Sequence, residues 1–227
     1  MQFHRFVTVD VFTDRRFGGN PLAVFPDARG LSDADMRALA AEFNLSETTF
    51  VLPPEDPANT ARVRIFTPAG EIPFAGHPNV GTGFVLAREG RGGADGVLLF
   101  EEIAGLVEVR VERDAAGEPA GATVAAPRPL SLGPEMPVET VAALAGLAAA
   151  DVVVGAHRPV WASTGNPFFI AEVAGEALAR AAPDLGAFRR ASAERPERGG
   201  RIALHLYARD GGGGGGRIRA RMFAPLH

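Results

Sequence analysis

Two stretches of this 227-residue chain hold side chains able to move a proton. The first is Asn44-Leu45-Ser46-Glu47-Thr48-Thr49-Phe50-Val51, where Glu47 stands between the end of a helix-patterned segment and an apolar strand. A carboxyl drawn out of water at such a junction rises in pKa towards neutrality, as a general acid or base requires. Position alone favours a plainer reading, an exposed residue where a strand begins. The second stretch runs from Thr67 to Gly83 and contains Gly76-His77-Pro78. A strand ends there, the chain turns at glycines, and Pro78 falls where the first helical residue is expected. Free N–H groups at such a helix start suit a carboxylate or a phosphate. Gly76 lets a substrate approach the backbone and His77 offers a donor beside it; a plain helix start, with His77 only capping or packing, accounts for the residues equally well.

Other chemistries are poorly supported. Gly76-x4-Gly81 resembles a Walker loop, but Thr82 stands where the phosphate-clamping Lys is required, which excludes an NTPase. With no Cys there is no disulfide scaffold, thiolate metal site or cysteine nucleophile. His4, His77, His157, His205 and His227 show no metal-ligand spacing, so no metal is expected. Gly211 to Gly216 formally satisfies G-x-G-x-x-G, yet a strand pattern follows it instead of a helix. Ser163-Thr164-Gly165 lacks the nucleophile elbow. Trp161 and Tyr207 read as core or rim aromatics. A net charge of −4 gives no footprint for nucleic acid. The longest apolar stretch, Val141 to Val154, is too short to span a bilayer, and the N-terminus has no signal-peptide pattern. A cytoplasmic protein with no membrane partner is the expectation.

The elements that must position these residues alternate in type. Strands are expected at His4–Phe12, Leu22–Phe25, Thr48–Leu52 and Ala61–Thr67, with a helix capped by Ser32 and another from Pro78 to Arg88. Val97–Glu101, Leu106–Glu112 and Ala122–Ala126 return to strand. Helices follow at Pro137–Leu147 and Gly175–Ala181, and strands at Val160–Ser163, Phe168–Val173, Ile202–Ala208 and Arg217–Phe223. Arg209 to Gly216 reads as a polyglycine hairpin or loop. The string R-x-R-x-F-x-P occurs twice, at Arg62 to Pro68 and Arg219 to Pro225. Gly19-Asn20-Pro21 is echoed by Gly165-Asn166-Pro167, each leading into an apolar strand. Such a long repeat fits two similar lobes and excludes a solenoid.

Val9-Asp10-Val11-Phe12, Gly19-Asn20-Pro21, Leu45-Ser46-Glu47-Thr48, Phe66-Thr67-Pro68 and Gly76-His77-Pro78 occur in an order and at spacings that resemble the phenazine biosynthesis PhzF-like isomerase family, related to diaminopimelate epimerase. Ser163-Thr164-Gly165 and Arg221 to Pro225 extend the resemblance over essentially the whole chain. It implies an α+β fold of two similar lobes, each a mostly antiparallel sheet around a central helix, with the site between them. The lobes are expected at 1–115 and 116–227, and the reaction the resemblance implies is cofactor-free proton transfer on a small carboxylate-bearing substrate. The family's acid/base glutamate matches Glu47, its glycine–histidine pair matches Gly76 and His77, and Asn20 in the G-N-P turn joins the substrate-binding set. A homodimer is the implied assembly. The family pattern continues after the F-A-P strand with a second glycine loop and helix, so the second lobe is expected to be incomplete and poorly stable or rescued by oligomerisation. Alternative readings are a racemase or epimerase, or a non-catalytic binding protein.

Overall fold

The structure, a computed structural model, describes residues 3–92, 95–195, 202–209 and 216–226. The chain forms two compact units, Met1–Pro129 and Leu130–His227. In the first, β1 (Val7–Val11), β2 (Asn20–Phe25), α1 (Asp33–Phe43), β3 (Glu47–Leu52), β4 (Ala61–Thr67) and β5 (Gly70–Ile72) precede α2 (Gly76–Arg88). Then come β6 (Val97–Glu102), β7 (Gly105–Arg113) and β8 (Pro119–Val124). The sheet order is β1-β2-β3-β4-β6-β7-β8, with β5 paired to β4. Within this sheet, β2/β3 and β4/β6 pair parallel and the other ladders among the described residues are antiparallel. β8 lies beyond the expected lobe boundary at 115/116, but its ladder to β7 assigns it to this first unit.

The sheet curls around α2, which contacts β1, β2, β3, β7 and β8. Leu22, Val24, Val51, Val63, Ile65, Leu98, Phe100, Val107 and Val109 line that core with Val85 and Leu86 of the helix. Close approach demands glycine on α2. A Cβ at Gly81 would meet Leu22 Cδ2 at 2.6 Å and Val11 Cγ2 at 2.9 Å, and one at Gly83 would meet Val109 Cγ1 at 2.6 Å. On the opposite face, α1 buries Met36 and Ala40 against Phe25, Phe50 and Phe66. The cap expected from Ser32 is formed, as a capping box. Its hydroxyl accepts from Asp35 N at 3.2 Å, while its own N–H donates to Asp35 Oδ2 at 3.0 Å.

In the second unit, β9 (Ser131–Glu135), α3 (Val138–Ala145), a 3₁₀ turn (Ala149–Asp151), β10 (Val152–Val153), β11 (Val160–Ser163) and β12 (Pro167–Val173) lead to α4 (Gly175–Arg180) and α5 (Leu185–Ala193). β13 (Leu204–Arg209) and β14 (Ile218–Phe223) close it. The repeat seen in the sequence is repeated in topology. β1-β2-β3-β4 pair antiparallel, parallel, antiparallel, and β11-β12-β13-β14 pair in the same order and senses. Both R-x-R-x-F strings fall on the fourth strand. All three helices join the core on the face of Phe169, Ala171, Leu204 and Leu206. The alternate face carries Ile170, His205, Tyr207 and Met222, and Ile218 and Met222 are exposed.

Several boundaries differ from the expectation. β1 spans Val7–Val11 and not His4–Phe12, because Phe12 turns into the left-handed region at φ 64° and leaves the ladder. α2 begins at Gly76, so Pro78 is its third residue; the N–H that proline lacks is still among the unpaired first-turn donors. The third strand after the glycine loop is Pro119–Val124 and not Ala122–Ala126. β5, β9 and α5 were not expected, although Asp184 caps α5 by accepting from Ala187 N at 2.7 Å. Residues 210–215 of the polyglycine stretch lie outside the described residues; on either side of it, β13 and β14 pair with Arg209 opposite Ile218. Gly81→Ala is expected to destabilise by about 1–3 kcal/mol through overpacking. Gly155→Ala, where an added Cβ meets nothing within 4 Å, should be near neutral; urea midpoints of the two variants check this.

Candidate active site

Asn20 opens β2 and Glu47 opens β3, and these strands run parallel with Leu22 opposite Glu47. Parallel pairing therefore brings both polar side chains to the same end of the sheet. α2 meets that end with its second residue, His77. A buried hydroxyl contact, Thr49 Oγ1 to Thr82 Oγ1 at 2.8 Å, ties α2 to β3 two residues beyond Glu47.

One chain of hydrogen bonds then sets the imidazole. Ser46 Oγ donates to Asn20 Oδ1 at 3.1 Å, which leaves the Asn20 amide nitrogen to donate to His77 Nδ1 at 3.2 Å. Nδ1 is thereby the acceptor, and the ring proton belongs on Nε2. That nitrogen lies 3.4 Å from Glu47 Oε2. Both atoms are buried and neither has a hydrogen-bond partner. Unsatisfied buried groups are costly and concentrate where a ligand completes them.

Burial acts on the two groups in opposite directions. It raises the Glu47 carboxyl above its ordinary value, with the Ser46 hydroxyl offsetting part of the rise. It lowers His77 to about 4, the Pro21 backbone working the other way. The imidazole is therefore neutral at pH 7 and serves as a hydrogen-bond donor through Nε2, not as a cation. Beside it, Ala75 precedes α2 in an extended conformation and supplies no side-chain cap. A Cβ at Gly76 would meet nothing within 4 Å, so the protein's own packing does not require glycine there. Open space over uncapped helix-start donors suits an anionic group.

The structure thus brings together Asn20, Glu47 and His77, with Gly76 adjacent in the chain. Glu47 is not the exposed strand-start residue that its position alone favoured; its side chain is 16% exposed. Ser46 and the Thr49–Thr82 pair were missed. Ser46 had a signal, a hydroxyl beside the carboxylate, but its partner Asn20 lies 26 residues away.

Residues 9–227 match the family model described as phenazine biosynthesis-like protein. The chain belongs to that family. It is 36% identical over 225 residues to the trans-2,3-dihydro-3-hydroxyanthranilate isomerase of Pseudomonas aeruginosa, covering 99% of this chain and 73% of that protein. An uncharacterized isomerase of Mesorhizobium japonicum is 44% identical over 176 residues, covering 77% of this chain but only 57% of its own length. Among solved structures, the PhzF-family phenazine biosynthesis protein of Bacillus anthracis superimposes with a TM-score of 0.79 at 26% identity, covering all of this chain and 73% of that one. The mixed α+β architecture with curled sheets is the one this phenazine biosynthesis-like family shares.

For His77, a folded-state pKa below the unfolded value means that the unfolded chain binds the extra proton between about 6.5 and 4. Stability from this residue is complete above that window and is lost as pH falls through it, by up to about 3 kcal/mol. Glu47, raised instead, contributes in the opposite sense. Urea unfolding at pH 7 and pH 4.5 should show a larger acid loss for the natural chain than for His77→Asn. Equal losses would count against a buried neutral imidazole.

Proposed function

We propose that this chain carries the acid/base half-site of a cofactor-independent isomerase that shifts a proton on a small carboxylate-bearing substrate. The observation that carries the reading is the Glu47–His77 pair, two complementary buried groups 3.4 Å apart with no bond between them. As a carboxylate, Glu47 takes a proton from a substrate carbon beside an unsaturated bond. The released electron pair delocalises along that system, and the same Glu47, now protonated, returns the proton at its far end. One C–H bond breaks, one forms, and the enzyme ends as it began. A raised carboxyl pKa narrows the energy gap for both transfers. The neutral Nε2–H of His77 and the uncapped N–H groups at Gly76 hold the substrate's anionic or developing oxyanion oxygen. Asn20 acts through His77 by keeping its Nδ1 an acceptor.

The named activity of the Pseudomonas aeruginosa relative supports the reaction class and supplies a probe. Trans-2,3-dihydro-3-hydroxyanthranilate, incubated with the protein in D₂O, should gain solvent deuterium in its isomerised product. Glu47→Gln, folded by circular dichroism, should lower turnover by roughly 10²–10⁴-fold. Retained turnover in that variant sinks the assignment of Glu47. Binding of the probe with no isotope exchange in the natural protein would favour a binding protein instead.

A further inference from the structure

α2 meets β3 at two polar contacts. His77 Nε2 stands 3.4 Å from Glu47 Oε2, and further along the helix Thr82 Oγ1 lies 2.8 Å from Thr49 Oγ1. The spacings agree. Five residues of α-helix rise about 7.5 Å, and two residues of strand about 6.6 Å. The two contacts are therefore successive rungs of one register between helix and strand. Five residues also turn the helix by about 140°, so the rungs leave it on different sides and together limit rotation as well as slide. The second rung is the anchored one. Thr49 lies within the β3 ladders, opposite Val24 of β2 and Ile65 of β4, and both threonines are fully buried. Apolar contacts set only the depth of the helix. Gly81 and Gly83 let it close on Leu22, Val11 and Val109, but burial has no preferred direction along a strand. A hydrogen bond has a length and an angle. Among the described residues, Thr82 is the one α2 residue beyond the first turn whose side chain is hydrogen-bonded to the sheet.

We propose that Thr49 and Thr82 are positioning residues, whose hydroxyl–hydroxyl bond locks the register of α2 against β3 and so holds the His77 donor at its working distance from the Glu47 carboxyl. This rests on the reading of Glu47 and His77 as the pair that works on the substrate. The first rung cannot hold itself, because neither Glu47 Oε2 nor His77 Nε2 has a hydrogen-bond partner. Asn20 ties the imidazole to β2. The threonine pair ties the helix to β3, the strand that carries Glu47. A donor and a base that act on one bound molecule lose rate steeply when one moves past the other; a shift of about 1 Å can cost roughly 10²-fold. A slide of α2 along β3 would move His77 and leave Glu47 in place.

Variants of the full chain separate register from stability. Thr82→Val leaves the Thr49 hydroxyl buried without a partner and should lower the urea midpoint. Combining Thr49→Val with Thr82→Val replaces both hydroxyls by methyl groups of similar shape, and the midpoint should recover. The register should not recover with it. In the double variant, the nuclear Overhauser effect between the His77 ring Hε1 and the Glu47 γ-protons should weaken. Its kcat for trans-2,3-dihydro-3-hydroxyanthranilate should fall by roughly 10–10²-fold. If the double variant does not fold, Thr82→Ser and Thr82→Ala decide the question, since they differ only by the hydroxyl. The first should keep the natural Overhauser effect and the second should lose it. A recovered midpoint with a natural Overhauser effect or undiminished kcat, or equal effects in Thr82→Ser and Thr82→Ala, would overturn the proposal. The Overhauser measurement needs no substrate. A natural chain that leaves the probe unchanged therefore defeats the isomerase reading while this test still stands.

Discussion

The burial of α2 inside the curled first sheet is the constraint on which the rest of the first unit depends. Gly81 and Gly83 let the helix press against Leu22 and Val11 on one wall and Val109 on the other. Without that depth, the helix start could not reach the ends of β2 and β3. Its first turn would then hold His77 in water, and neither the imidazole nor the carboxyl opposite it would be desolvated. Packing of apolar residues is thus the source of the site's electrostatics.

The polar groups on this helix are arranged as two short chains that meet at its first turn. Ser46, Asn20 and His77 form one and fix a tautomer. Asn79 and Ala75 form the other and hold a peptide plane. Between them, the helix start presents one ring donor and one backbone donor without a charged side chain. An anion bound there would be met by dipoles rather than by a formal positive charge.

Much of this was legible in the sequence, for local reasons. The Ser32 capping box needs only residues three apart, and the alternation of β-branched residues at Ala61–Thr67 marks a strand without reference to any neighbour. The family resemblance brought Glu47, Gly76, His77 and Asn20 into one site before any geometry was known. Burial was not legible. Glu47 is desolvated only because α2, about thirty residues later, is drawn over β3, and Ser46 finds Asn20 across a parallel crossover. α5 was hidden because its arginines obscure the stripe of Phe188 and Ala191, although Asp184 stands at its cap position.

The contiguity of the two units bears on the order in which the protein is made. Asn20, Ser46, Glu47 and His77 all fall within the first unit, and the strands of that unit are complete by Val124. During synthesis this half leaves the ribosome first, and its parallel β2/β3 and β4/β6 pairings close without waiting for any later segment. The half-site described here can therefore be assembled on a nascent chain, with the second copy of the four-strand pattern folding after it as a separate event.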